Sequence, residues 1–296
     1  VSKGWVPQQG DIEAAFLSGV GLDRPLYLRA PPMGLPEIPG VMPALAGGTL
    51  LRALKSVYGL NQAPADFNLR HAEVMFDHGA VDSALAPRTL FYWFDKAGDI
   101  IGQVATHVDD DLFAGTDWWI QNVVPKIRRE FHYSKWNFGE APIMHLGRNI
   151  TVHIKHKPTD YIEMDQAHYA LGLRQIALNP DRKRQTEEPL TSVEVSALRA
   201  GTGKQAWLNR TRPDLAIRIA MQQQSMSDPK TKHILEHNAI VVAAVRDSFV
   251  KVKFVPTDWH DDRLRVYCVG DSAFMNVGPD KTSSQAGYII GTGLDE

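Results

Sequence analysis

Three adjacent carboxylates between two apolar runs restrict the fold of this chain more than any other stretch. Asp109, Asp110 and Asp111 follow an apolar run at 100–105 and precede a second one at 112–114. Short apolar runs on both sides of a tight polar tip predict two strands joined by a turn. Carboxylates this close raise each other's pKa unless a cation lies among them, and Mg²⁺ takes such oxygen ligands. A solvated turn, in which aspartate only favours the bend, is the alternative.

Length and composition are typical of a globular protein. With 296 residues, of which 44% are hydrophobic and 22% charged, the chain is expected to form about two domains and to be neither disordered nor fibrous. The single cysteine, Cys268, excludes an internal disulfide and a cysteine-based zinc site, and it fits a reducing compartment. No apolar run approaches the roughly 18–20 residues of a membrane span, so no membrane partner is expected.

The charge balance does not by itself favour a nucleic-acid partner, because the formal net charge is only -2. Phosphate contacts need local lysine and arginine. The candidate groups are the basic segments at 126–129 and 182–184, and Arg210 with Arg212. A solvated charged face is the alternative for each group.

Local patterns predict a succession of helices and strands. Strands are expected at 90–94, 100–107, 143–154, 161–164, 263–269 and 286–290, the last two around a loop at 271–285. Helices are expected at 65–78, 118–131 with an interruption at Pro125, 165–178, 193–208, 213–226 and 229–248. The charged segment 179–192, with Pro180 and Pro189, is the predicted linker.

A fourth carboxylate, Asp11, follows a short extended segment and precedes the apolar residues 14–17. Such an aspartate is either a ligand at a strand end or the N-cap of a helical turn. Because Asp11 is far from Asp109 and Asp110 in the chain, these side chains meet only if two strands adjoin in one sheet. In that case three carboxylates would be able to hold two Mg²⁺ ions.

Several segments resemble the reverse transcriptases of Ty1/copia-type retrotransposons. QGDIEAAFLSG at 9–19 is similar to the first palm motif of that family, QMDVKTAFLNG, and LKSVYGLNQAP at 54–64 to LKSLYGLKQAP. HVDD at 107–110 resembles the YVDD turn, HLGRNI at 145–150 resembles FLGIEI, and TRPDL at 211–215 matches the TRPD signature. The segments 269–274 and 282–290 resemble the start of the family's ribonuclease H domain. The matches occur in family order and span almost the whole chain.

The resemblance implies an RNA-directed DNA polymerase. Such a nucleotidyltransferase uses two Mg²⁺ ions, or Mn²⁺, to join a dNTP to the 3′-hydroxyl of a primer on an RNA or DNA template. Asp11, Asp109 and Asp110 would be the catalytic, metal-binding carboxylates. Phe16 would lie under the incoming sugar and exclude a 2′-hydroxyl, and Gln62 would lie against the incoming nucleotide and template.

The resemblance also implies an α+β fold. Its parts would be a polymerase palm with a small antiparallel sheet backed by helices, a helical thumb and connection, and a truncated ribonuclease H-like start. The predicted limits are 1–178 for the palm with partial fingers and thumb, 179–192 for the linker, 193–262 for the helical connection and 263–296 for the ribonuclease H-like start. Asp271 would be the first carboxylate of the ribonuclease H site, although Ala273 and Phe274 replace the Asp-Trp of that motif.

The chain begins without methionine and ends within a strand-like pattern, so we expect a piece of a longer Pol polyprotein. The other parts of that polyprotein would be partners, with the remaining fingers upstream and most of the ribonuclease H domain downstream. An intracellular location would follow, in cytoplasmic element particles, with the nucleus as a second location.

Two departures from the family keep other readings open. His107 stands where the family has an aromatic residue, and Asp111 stands where it has an apolar one. A carboxylate that is buried without a partner costs a few kcal/mol, so Asp111 either damages the core or joins the metal cluster. A degenerate, catalytically inactive retroelement remnant that at most binds nucleic acid is therefore one alternative, and a different two-metal phosphotransferase is another.

Overall fold

The computed structural model describes residues 2–139, 141–155, 160–256, 264–277 and 283–294. The chain divides into two units: the carboxylate unit, residues 5–141, and the C-terminal unit, residues 142–296 with the first four residues. The fold is mixed α+β with antiparallel sheets, as the sequence predicts at this level. Within the described ranges no helix is both long and apolar enough to cross a membrane.

The carboxylate unit is built on a six-stranded antiparallel sheet. Its elements are β1 (Gln8–Ile12), β2 (Gly21–Arg29), β3 (Leu50–Lys55), α1 (Ala63–Asp77), β4 (Val81–Asp82), β5 (Leu90–Phe94), β6 (Ile100–His107), β7 (Asp110–Gly115), α2 (Asp117–Asn122), α3 (Val124–Glu130) and β8 (Tyr133–Asn137). The strand order in the sheet is β4-β5-β6-β7-β1-β8, and β2 and β3 pair in a separate two-stranded sheet. A 3₁₀ turn, Ala15–Ser18, follows β1 where a helix start was predicted.

Several predicted elements of this unit are confirmed. Strands β5 and β6 pair as a hairpin, and β6 and β7 form the two strands expected around the acidic turn. Helix α1 has Pro64 in its first turn, where the missing N–H leaves no helical hydrogen bond unmade, and Gly79 follows its end with φ +86°. The helix expected at 118–131 is divided into α2 and α3 at Val123, because Pro125 lies in the first turn of α3.

One hydrophobic core joins α1, α2 and α3 to the sheet. Phe67 of α1, Phe113 of β7 and Trp119 of α2 are buried in it. Gly102 and Gly115 lie opposite each other on β6 and β7, and a Cβ atom on either would lie 2.2 Å or 2.5 Å from Trp119 ring atoms. The two glycines therefore make the space that this indole fills, and α2 packs closely on the strands that carry the acidic turn.

The C-terminal unit combines helices with a four-stranded antiparallel sheet. Its elements are β9 (Ile143–His145), β10 (Arg148–His153), β11 (Tyr161–Asp165), α4 (Ala167–Leu171), α5 (Pro180–Arg184), α6 (Ser192–Leu208), α7 (Ala216–Gln224), α8 (Thr231–Arg246), β12 (Val252–Phe254), β13 (Leu264–Val277) and β14 (Ser283–Leu294). The sheet order is β12-β11-β10-β9, and β13 pairs with β14. The strand β12 lies within the segment predicted as a helical connection.

Some local predictions in this unit are wrong. The strand expected at 143–154 is a hairpin, because a turn at Leu146 and Gly147 divides it into β9 and β10. The helix predicted over 165–178 ends at Leu171, because the next segment is held by a neighbouring helix instead: the side-chain amide of Asn238 accepts from the Ile176 N–H at 2.7 Å and donates to its carbonyl at 2.9 Å. The loop predicted at 271–285 is largely strand, since β13 runs to Val277 and β14 begins at Ser283. The centre of that loop, 278–282, and residue 263 of the predicted strand lie outside the described residues.

Candidate active site

Antiparallel pairing of β1 with β7 brings two distant carboxylates together. In the register of this pair Asp11 lies directly opposite Asp110. Side chains that are directly opposite in a sheet project from the same face, with Cβ atoms roughly 4.5–5.5 Å apart. Asp109, the residue before β7, lies in the adjoining turn and is close enough for its pKa to respond to the charges of Asp11 and Asp110. The structure therefore places Asp11 opposite Asp110, with Asp109 in the adjoining turn.

The turn that carries Asp109 has an unusual backbone. His107 pairs with Asp110 across it, so Val108 and Asp109 are its two central residues. Val108 has φ +59°, a conformation that costs a β-branched residue roughly 1–2 kcal/mol. The Ile12 N–H donates to the carbonyl of Asp109 at 2.8 Å, which fixes the turn against the end of β1. Strain in a turn that is held from outside is common at functional sites.

The electrostatics of the turn favour a cation. Burial is the largest cause of the raised pKa of Asp109, and the negative charges of Asp11 and Asp110 raise this pKa further. Backbone hydrogen bonding at Asp109 and the nearby His107 act in the opposite direction. A divalent cation among these oxygens would remove the repulsion and favour the ionised carboxylates.

Two neutral residues, not expected from the sequence to act here, contact the paired carboxylates. Gln9 Nε2 donates to Asp110 Oδ1 at 3.0 Å, and Ser134 Oγ donates to Asp11 Oδ2 at 2.8 Å. Gln9 is on the same strand face as Asp11, which the alternation of β1 could have shown. Ser134 comes from β8, and no local pattern marks it.

The donor set fits a hard cation, although it is not a complete protein cage. In the part of the chain that the structure describes, no group of three or more His, Cys, Asp or Glu side chains is arranged to hold a metal ion. Mg²⁺ usually takes one or two protein carboxylates and completes its shell with waters and substrate phosphates. Asp11 and Asp110, facing each other on one side of the sheet, satisfy that smaller requirement.

Asp111 belongs to the opposite face of the sheet and to the core. It pairs with Gly10 on β1, and its side chain is completely buried. Tyr133 Oη donates to Asp111 Oδ2 at 2.7 Å, and His71 Nε2 lies 3.1 Å from the same oxygen. We call these three side chains the buried Asp111 cluster. Asp111 is thus neither an unpartnered charge nor a member of the group formed by Asp11, Asp109 and Asp110.

The hydroxyl of Tyr133 is held in its protonated form. Burial raises the pKa of Tyr133 well above its ordinary value, and the charge of Asp111 and the hydrogen bond to it act in the same direction. The hydroxyl therefore remains a donor to the carboxylate. The buried Asp111 cluster thereby holds the first residues of β7 from the sheet face opposite to Asp110.

The two residues predicted to contact the nucleotide, Phe16 and Gln62, lie near the N-terminal end of α1. Phe16, in the 3₁₀ turn after β1, packs on Tyr58 with ring centroids 4.9 Å apart. Gln62, the N-cap residue of α1, donates to Asp66 Oδ1 at 3.0 Å. Gln62 also lines a cleft of about 460 Å³ together with residues from β2 and from the loop before α1, among them Arg24 and Asn61. This cleft is wide enough for a small polar ligand.

The predicted ribonuclease H carboxylate is placed only by its backbone. Asp271 lies within β13, opposite Gly287 of β14. Its side chain lies outside the described residues.

Comparison with known proteins leaves the family of the chain open. The chain matches no protein-family model, and it matches no curated protein.

Proposed function

We propose that the chain is the palm-containing part of an RNA-directed DNA polymerase from a Ty1/copia-type retrotransposon. The observation that carries the proposal is the register of β1 with β7, which sets Asp11 opposite Asp110 beside the turn residue Asp109. A solvated acidic turn would not require a third carboxylate from a strand distant in the chain. The motif resemblances in family order supply the reaction class, which the geometry alone does not.

The residues of the site would have two roles, metal binding and positioning of the turn. Asp11 and Asp110 would present carboxylate oxygens from one face of the sheet, and Asp109 would do so from the turn. Mg²⁺ bound there would lower the pKa of the primer 3′-hydroxyl and neutralise the charge of the triphosphate. The hydrogen bond from Ile12 would hold the turn in position, and positioning is most of what a protein contributes to phosphoryl-type transfer.

Substrate selection would fall to the region before α1. Phe16, supported by Tyr58, would contact the sugar and disfavour a 2′-hydroxyl, so dNTPs would be the substrates. Gln62 would reach the base pair from the cleft that it lines. Its hydrogen bond to Asp66 restricts its rotamers, which lowers the entropy lost when a nucleotide binds.

Primer extension on an RNA template with dNTPs and Mg²⁺ or Mn²⁺ tests the proposal. The decisive variant is Asp109→Asn/Asp110→Asn, and the matched control is Asp77→Asn/Asp99→Asn, which removes two exposed carboxylates of the same unit. We expect extension by the unaltered protein and by the control and none by the first variant. Extension that survives in Asp109→Asn/Asp110→Asn would refute the site assignment.

An inactive remnant that binds nucleic acid is the second candidate, and one feature of the site favours it. Asp11 and Asp110 already accept hydrogen bonds from Ser134 and Gln9, which compete with a cation for the same oxygens. This candidate predicts that the unaltered protein binds a primer–template but does not extend it. Extension by the variant Gln9→Ala/Ser134→Ala, without extension by the unaltered protein, would show that these two hydrogen bonds suppress a site that is otherwise competent.

A further inference from the structure

Two arginines converge on one tryptophan in the C-terminal unit. Arg148 is the first residue of β10, Trp207 lies in the last turn of α6, and Arg210 follows α6. The guanidinium carbon of each arginine lies 5.6 Å from the centroid of the Trp207 ring. The two positive charges therefore share one indole, which attracts each of them through its π-system.

Local geometry fixes Arg148 in this place. The β9–β10 turn consists of Leu146 and Gly147, which both have positive φ, and it pairs His145 with Arg148. Two-residue turns of this kind match the twist of the flanking strands and set their register. Gly147 itself faces Trp207, since a Cβ atom there would lie 3.6 Å from the indole nitrogen. The turn therefore places Arg148 next to the end of α6.

Among the described residues, no carboxylate neutralises either of these arginines. Within the part of the chain that the structure describes, Arg148 and Arg210 form no salt bridge, whereas Arg182, Arg212 and Arg218 pair with Glu194, Asp214 and Glu236. Burial lowers the pKa of Arg148, and the charge of Arg210 lowers it further. The Nε of Arg148 is buried without an acceptor. An anion between the two side chains would relieve both the repulsion and the unmade hydrogen bond.

We propose that Arg148, Trp207 and Arg210 form a binding site for a phosphate group of a nucleic-acid backbone. Each planar guanidinium can donate two parallel hydrogen bonds to two phosphate oxygens. Contact with the indole restricts both arginine side chains beforehand, so less conformational entropy is lost when the phosphate binds. Of the candidate basic groups in the sequence, Arg212 is excluded because its side chain is buried and paired with Asp214, and Arg182 is paired with Glu194. Arg148 stands where the resembling family segment has isoleucine, so this site is a property of this chain. The identity of the polyanion rests on the proposed function.

The salt dependence of nucleic-acid binding tests this proposal with the full chain. Fluorescence anisotropy of a labelled RNA–DNA hybrid would be measured over a series of NaCl concentrations. The decisive variant is Arg148→Gln/Arg210→Gln, and the matched control is Arg174→Gln/Arg199→Gln, which removes two exposed arginines of the same unit. Each lost phosphate contact lowers the slope of log K against log salt by about 1, so the decisive variant, which removes one phosphate site, should lower it by about 1 and the control by less than about 0.5.

Further variants separate charge from geometry. Arg148→Lys/Arg210→Lys keeps both charges but loses the forks, so we expect an intermediate affinity with an almost unchanged slope. Trp207→Phe keeps a smaller ring and should weaken binding less than the double glutamine variant. Circular dichroism and thermal melting would establish that each variant is folded, because a change in slope is interpretable only for folded protein.

The outcomes are distinct from those of the polymerase test. Equal slopes for the unaltered protein and Arg148→Gln/Arg210→Gln would overturn the inference, and so would a failure of the unaltered protein to bind the hybrid. Binding with the expected change in slope, but without any primer extension, would support the inference and refute polymerase activity. A slope that falls as much in the Arg174→Gln/Arg199→Gln control would show only diffuse attraction and would also overturn it.

Discussion

Removing the hydroxyl of Tyr133 changes one hydrogen bond of the buried Asp111 cluster and little else. In Tyr133→Phe the ring stays, and Asp111 Oδ2 loses its donor at 2.7 Å while His71 Nε2 remains 3.1 Å away. Asp111 Oδ1 already has no hydrogen-bond partner, so the carboxylate has little left to compensate the loss. A hydrogen bond to a charged group contributes about 1.5–3 kcal/mol, and we expect β7 to lose about that much local stability.

Removing other members of the cluster should have a similar effect and then a compensating one. His71→Phe leaves the carboxylate of Asp111 without its ring partner, and the loss of such a hydrogen bond costs about 1.5–3 kcal/mol. The triple variant His71→Phe/Asp111→Leu/Tyr133→Phe contains no buried polar group at this place. Its stability should return to within about 1 kcal/mol of the unaltered protein, because apolar replacements of a buried charged group are often neutral or stabilising.

Hydrogen exchange of the backbone amides of β6 and β7 measures these effects locally, so unfolding of the other unit does not enter. We expect exchange in Tyr133→Phe to be about 10- to 150-fold faster than in the unaltered protein. Tyr92→Phe on β5 is the matched control, and it should change the free energy of local opening by less than about 0.5 kcal/mol.

Additive losses in the triple variant would refute this account of the cluster. They would mean that the carboxylate contributes through something other than its two partners. Primer extension by the triple variant is a second check, because Asp111 lies on the opposite sheet face from Asp110. Loss of extension in a stably folded triple variant would show that Asp111 does act in the site.

Three further predictions concern single positions. The pKa of Glu194 is lowered from 4.5 to about 2, chiefly by hydrogen bonds from Arg182. The stability that this carboxylate contributes is therefore full above about pH 4.5 and is lost as the pH falls towards 2. Glu194→Gln should accordingly make the unfolding free energy depend less on pH between about 4.5 and 2. Asp110→Asn relieves the repulsion with Asp11, so it should stabilise the metal-free protein by roughly 0.2–1 kcal/mol in thermal melts at pH 7. We expect added Mg²⁺ to stabilise the unaltered protein and not this variant. Gly102→Ala puts a methyl group 2.2 Å from the ring of Trp119 and should lower stability by about 1–3 kcal/mol, and an unchanged melting temperature would contradict that packing.

Local signals were enough to predict the parts of the site that lie within one hairpin. The apolar runs around Asp109 and Asp110 predict β6, the turn and β7, because strand alternation and turn chemistry act over a few residues. Pro64 and Gly79 likewise predict the ends of α1 to within two residues. The same local rules gave a helix over 165–178 that is too long, since the amide of Asn238 captures the backbone of Ile176.

The sequence by itself therefore determined the acidic hairpin and the helix behind it. Only the tertiary structure decided that Asp11 faces Asp110, because the pairing of β1 with β7 depends on contacts between residues far apart in the chain. It also decided that Asp111 lies inside, with His71 and Tyr133, since the register of one strand assigns every side chain on it to one face or the other. The pairing of Arg148 with Arg210 over Trp207 depends in the same way on packing that no local pattern encodes.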